Sequence, residues 1–200
     1  MKKWVLGLLI VLFVACVTLF IIQQYGNKCS AVVSKEIGVD TDSYKGVKVY
    51  NNGKDYVKDY GKNYNRDGYY YGLKWQCVEF IKRFYYDAKG HKMPDVFGHA
   101  KDFFDEAVGQ GELNKKRNLL QYRNGEGVKP QVDDLIVFTD THYGHVAIIT
   151  EVTDKDIEII QQNIYESPRD RLSITFKDGK YFIGGGTQRS PAGWLRKDES

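Results

Sequence analysis

Lys74-Trp75-Gln76-Cys77-Val78-Glu79-Phe80-Ile81-Lys82-Arg83-Phe84 reads as the opening of an amphipathic helix with a cysteine on its first turn. Cys77, Phe80, Ile81, Phe84 and Ala88 recur at helical spacing, so that face packs inward. The spacing predicts a helix over residues 76–89, stopped by Gly90 in a left-handed cap position. Upstream, Tyr69-Tyr70-Tyr71-Gly72 reads as a loop or a short extended segment, which places Cys77 near the helix N-terminus. Unpaired backbone N–H groups and the positive end of the macrodipole favour a thiolate there. The thiolate is the nucleophilic form of cysteine. A small buried hydrophobe is the competing reading of such a residue. Glu79, two residues on, reads as charge compensation at the helix start.

Working outward, residues 97–108 read as a second helix, with Ala100, Phe103, Phe104 and Ala107 on one face and Gly109 at its end. Residues 111–129 read as a basic loop. From Asp133 the period becomes strand-like. Leu135–Phe138 is a buried strand, His145–Val152 a second, residues 157–163 a third, and residues 171–176 and 181–184 a further hairpin. In the other direction only Val47–Tyr50 alternates like a strand. Helices followed by an antiparallel meander predict an α+β domain.

The amino terminus differs from the rest. Lys2 and Lys3 precede an uncharged apolar run over residues 4–22, which at ~1.5 Å per residue is long enough to cross a bilayer core of roughly 30 Å. The run is long for a cleaved signal, and the flanking lysines favour the cytoplasm. The expected organisation is a transmembrane signal anchor over residues 1–24, a polar stalk over 25–46 and a domain over 47–200. That domain would lie outside the cytoplasmic membrane of a single-pass protein. Phe13-Val14-Ala15-Cys16 offers a lipoprotein anchor at Cys16 as the alternative.

Cys29 falls in the stalk, so Cys77 is the one cysteine in the folded part, more suggestive of a working thiol than of a disulfide framework. Of 29 basic residues two precede the apolar run, which leaves 27 against 26 acids. That balance makes no electrostatic case for nucleic acid. No zinc or calcium ligand spacing is present, so neither metal nor cofactor is expected.

A histidine begins the second strand, in Gly144-His145-Val146-Ala147-Ile148-Ile149. If that strand pairs with the next through the turn at residues 153–156, facing residues have indices summing to about 309. His145 then lies opposite residues 162–164 and diagonal to Gln161, so the amide of either Gln161 or Asn163 can reach its ring. A cysteine at a helix N-terminus, a strand histidine and a side-chain amide form the constellation of papain-like hydrolases. Gln76, beside the nucleophile, either donates to an oxyanion or faces outward. Trp75 and the Tyr69-Tyr70-Tyr71 run, Tyr71 included, are candidates for the wall of a substrate cleft or for plain packing. His91, His99 and His142 read mainly as surface or capping residues.

Four blocks carry a family resemblance, spread in order over residues 47–196. They are Gly72-Leu73-Lys74-Trp75-Gln76-Cys77-Val78-Glu79-Phe80, His145 with its flanking Gly144 and Val146-Ala147-Ile148-Ile149-Thr150-Glu151-Val152, Gln161-Gln162-Asn163, and Ala192-Gly193-Trp194-Leu195-Arg196. Together they resemble a CHAP domain (cysteine, histidine-dependent amidohydrolases/peptidases), and within that family the amidase domain of glutathionylspermidine synthetase/amidase. The resemblance implies a papain-like fold with Cys77 as nucleophile and His145 as general base. It also implies hydrolysis of an amide bond, most often in bacterial peptidoglycan. Peptidoglycan stem peptides and a small glutathione–polyamine amide are the expected substrate classes, with a non-catalytic binding module as the competing function. In the resembling amidases a glutamate stands where this chain has Gln161, and a neutral amide stabilises an imidazolium less.

Overall fold

A computed structural model describes residues 36–198 apart from 96, 166 and 187. The first strands form two small hairpins, β1 (Asp40–Tyr44) with β2 (Val47–Tyr50) and β3 (Lys62–Tyr64) with β4 (Tyr70–Leu73). The one α-helix among the described residues, α1 (Cys77–Lys89), follows. It ends where Gly90, at φ 58°, adopts the left-handed cap and its N–H returns to Tyr86 O at 3.2 Å. Phe80, Ile81, Phe84 and Tyr85 are fully buried. Each contributes about 1.5–3 kcal/mol by leaving water.

The remaining strands are β5 (Leu113–Asn114), β6 (Leu119–Arg123), β7 (Leu135–Phe138), β8 (His145–Val152), β9 (Asp156–Ile160), β10 (Arg169–Lys177), β11 (Lys180–Ile183) and β12 (Gly193–Arg196). They make one antiparallel sheet in the order β11-β10-β9-β8-β7-β12-β6-β5. The last strand thus fills the gap between β7 and β6, which is why Trp194 and Leu195 are wholly buried.

Alternate side chains leave this sheet in opposite directions. Leu135, Val137, Val146, Ile148 and Ile160 pack with α1, whereas Ile136, Phe138, Ala147, Ile149 and Ile159 join Leu172, Ile174, Ile183 and Trp194 in a second cluster. That second face is covered because the sheet curls on itself. Tyr181 of β11 exchanges backbone hydrogen bonds with the chain just past β6, Gly125 N to Tyr181 O at 2.8 Å and Tyr181 N to Glu126 O at 2.9 Å. The side chain of Asn124 completes the seam, donating to Ile183 O at 3.1 Å and accepting from Ile183 N at 2.8 Å.

The expected α+β arrangement of helices packed on a sheet behind a transmembrane segment is corrected by these elements. The described residues are mostly β, with a single α-helix set against an eight-stranded curled sheet. Residues 97–108 do not form the predicted second helix; only a 3₁₀ turn at Ala100–Phe103 appears. Competing partners explain the loss. Asp105 Oδ1 accepts from Ala107 N at 3.0 Å, while the amide of Gln121 takes both Asp105 N and Asp105 O, so these backbone groups are drawn away from helical bonding. Conversely, the expected loop at residues 111–129 contains β5 and β6, with Leu119 and Gln121 turned inward.

The proposed membrane anchor at residues 1–24, the Cys16 lipidation box, Cys29 and the first part of the expected stalk lie outside the described residues. Among the described residues no helix is long and apolar enough to cross a membrane. The expectation of a single-pass membrane protein with an extracytoplasmic domain is corrected on that finding. β1 falls within the stretch read as stalk.

Candidate active site

The chain brings Cys77 and His145 to the same place by two different routes. Cys77 is the first residue of α1, entered from Gln76 in extended backbone. The backbone N–H groups of Val146, the residue after His145, and of the helix's own first turn favour the thiolate form of Cys77. His145 opens β8 opposite Phe138 of β7, their rings 6.3 Å apart. Gly144 makes that entry possible: its φ is +71°, and a Cβ there would lie 2.5 Å from Lys101 N and 2.7 Å from Phe138 O.

The imidazole Nε2 of His145 lies 2.9 Å from Gln161 Oε1, just past the end of β9. The two amides left open by the sequence are thereby told apart. A bulge between Ile149 and Glu151 shifts the β8–β9 register, and pairing ends at Ile148 opposite Ile160. Asn163 turns elsewhere, with a positive φ of 67°. Its Nδ2 donates to Gln76 Oε1 at 2.6 Å and Tyr56 O at 2.8 Å, and its Oδ1 accepts from Asn52 at 2.5 Å.

Electrostatically the pair is neutral. Burial pushes the Cys77 thiol up to about 11, against the backbone N–H groups of Val146, Val78 and Cys77 that pull it down. The helix-terminal position therefore does not yield the depressed thiol that the sequence suggests, because desolvation outweighs it. Burial, reinforced by the Arg189 cation, takes His145 down to about 4, opposed by the Gln161 hydrogen bond and by Asp140. Arg189 lies over the Phe138 ring at 4.5 Å and pairs with Asp140 at 2.5 Å.

Gln76 is held from two sides, donating to Lys58 O at 3.1 Å while accepting from Asn163. Trp75 lies beside it, half-buried, its ring 4.2 Å from that of Tyr50 and its backbone N–H on Asn52 Oδ1. Tyr71 is not brought to the site. Its ring is buried among Tyr69 and Tyr86, and its hydroxyl donates to Asp87 at 2.7 Å on the flank of α1. His142 is exposed against Tyr143, and His91 is buried with its ring on Arg117 O. Glu79, read as terminal charge compensation, is instead fully buried and ion-paired with Arg83 at 2.6 Å. Their i, i+4 spacing was the available signal. Nothing in the sequence singled out Arg189.

Comparison with known proteins adds a family. Trypanothione synthetase of Crithidia fasciculata is 33% identical over 125 residues, 58% of this chain and 19% of that protein. The bifunctional glutathionylspermidine synthetase/amidase of Escherichia coli (strain K12) is 37% identical over 109 residues, 51% of this chain and 17% of its own length. Glutathionylspermidine synthase of Crithidia fasciculata is 32% identical over 102 residues, 46% of this chain and 14% of its own. The chain thus spans less than a fifth of the length of these relatives. The CHAP domain model matches residues 65–163, a span that contains Cys77, His145, Gln161 and Asn163. Residues 65–163 thus carry a CHAP domain.

Proposed function

We propose that the chain is a cysteine amidohydrolase in which Cys77 attacks an amide carbonyl, His145 moves the protons and Gln161 holds the imidazole. The observation that carries this reading is the 2.9 Å bond from His145 Nε2 to Gln161 Oε1, on the strand that packs against the helix opened by Cys77. An amide oxygen can only accept, so Nε2 carries the ring proton and Nδ1 keeps its lone pair. Both groups rest uncharged near neutrality, so Nδ1 takes the thiol proton as sulfur attacks rather than beforehand. The tetrahedral oxyanion is met by the Cys77 backbone N–H and by the Gln76 amide proton not used on Lys58. His145 returns its proton to the leaving amine as the C–N bond breaks. Water, deprotonated by the same ring, then cleaves the thioester to a carboxylic acid and restores the thiol.

A small glutathione–polyamine amide is the substrate class that the similarity to the synthetase/amidase supports. Peptidoglycan stem peptides are the second reading, supported by the CHAP match. Trp75 and Gln76 would line the substrate side of the nucleophile.

The chain and its Cys77→Ala form should be incubated separately with glutathionylspermidine and with purified peptidoglycan, and the products weighed by mass spectrometry. Hydrolysis by the chain and none by Cys77→Ala is the expected result, and the masses name the bond. Turnover surviving in Cys77→Ala sinks the mechanism. Silence on both substrates with a thiol inert to iodoacetamide would favour a binding module.

A further inference from the structure

Gln161, Gln162 and Asn163 are consecutive, yet their side chains go to three different parts of the site. Gln161 takes His145 and Asn163 takes the Gln76 side chain. Gln162, only 1% exposed, enters the base of α1. Its Nε2 donates to Gln76 O at 3.0 Å and to Glu79 Oε2 at 2.7 Å, while its Oε1 accepts from Tyr50 N at 2.8 Å and lies 3.4 Å from Arg83 Nη2. Both donors and both acceptor positions of the amide are used. Glu79 is in turn held by Arg83 Nε at 2.6 Å and Asn63 Nδ2 at 2.8 Å. The carbonyl that Gln162 grips belongs to the peptide joining Gln76 to Cys77. It also accepts the first helical N–H, that of Phe80 at 3.3 Å.

We propose that Gln162 is a positioning residue, which fixes the peptide preceding Cys77 against the strand end that carries Gln161 and, through Gln161, His145. The inference rests on the reading of Cys77 and His145 as nucleophile and base. Apolar side chains of the same volume would fill this space with little loss of stability, since a buried ionic network is weak as a source of stability. What an apolar filling cannot supply is direction: four hydrogen bonds on one planar amide set the thiol relative to the ring. A reacting pair displaced by about 1 Å can lose as much as ~100-fold in rate.

Two variants of the full chain test this. Gln162→Met removes all four bonds. The exchange Glu79→Gln with Gln162→Glu leaves a carboxylate for Arg83 and an acceptor for Tyr50 N but deletes the donor to Gln76 O. Three quantities are read: the thermal midpoint, the pH profile of Cys77 alkylation by iodoacetamide, and kcat and KM on glutathionylspermidine. Expected are a lowered midpoint with cooperative unfolding kept, since each variant leaves Gln76 O without this donor, and kcat down by about 10- to 100-fold with little change in KM for both variants. The limb of the alkylation profile that follows His145 should be lost in both. A folded variant that keeps the parent's alkylation profile overturns the proposal, as does failure of both variants to fold, which would assign Gln162 to the fold and not to the site. Alkylation needs no substrate, so a parent chain that hydrolyses nothing refutes the enzymatic reading while the positioning role is still decided.

Discussion

At the scale of single residues, the charge state of the Cys77–His145 pair is set by what surrounds it. His145 is held at about 4, chiefly by burial and then by Arg189, so its proton is bound more readily in the unfolded chain. The corresponding stability is fully present above the ordinary histidine range near 6.5 and is lost as pH falls toward 4, roughly 3 kcal/mol in all. Activity should follow the same group, with an acid limb of kcat/KM near pH 4. Gln161→Glu places a carboxylate on the ring and should raise the His145 pKa by about 1–3 units. A pH–rate profile should then show the acid limb moved upward, and an unmoved limb would mean that residue 161 does not act on the ring. Much of this was legible beforehand: the cysteine, the histidine and an amide partner came from spacing alone. The direction of the thiol shift did not, since a helix terminus is visible in a sequence whereas complete desolvation is a property of the packed site.

At the scale of elements, what could be read depended on whether local pattern and tertiary partner agreed. α1 carries an uninterrupted apolar face and a glycine stop, and it formed where the pattern put it. Residues 97–108 carry a comparable face, but Gln121, sixteen residues beyond Asp105, takes the backbone groups that a helix would need. No local pattern announces such a distant competitor. The same glutamine hid β6, because a polar residue turned inward breaks the alternation that marks a strand. The junction of β7 and β8 rests on one residue. Gly144→Ala forces a side chain onto Lys101 N and Phe138 O at a positive φ, and should cost more than about 2 kcal/mol in urea unfolding. Activity should fall with it, because the same residue aims His145; a variant as stable as the parent would show that this entry is not tight.

At the scale of the whole molecule, the described residues are organised by the closure of the large sheet. Its seam depends on a side chain imitating a peptide: Asn124 presents one donor and one acceptor to Ile183 as a neighbouring strand would. Sequence offered Asn124-Gly125 as a turn and nothing more, since backbone mimicry is decided by a partner about sixty residues away. Asn124→Ala leaves both Ile183 groups without that partner and should cost about 1–3 kcal/mol for each group left unsatisfied. Amide exchange should accelerate in β11 ahead of β8, and uniform exchange across the sheet would argue against a local seam. Closure also bears on how copies of the chain treat one another. An open strand edge is a template on which another chain can add, the first step toward fibrous aggregates. Here one end of the sheet is sealed by Tyr181 and Asn124, and the other finishes in β5, a strand of two residues. Asn124 is thus also a guard against self-association, and a chain that has lost it would expose β11 as an adhesive border.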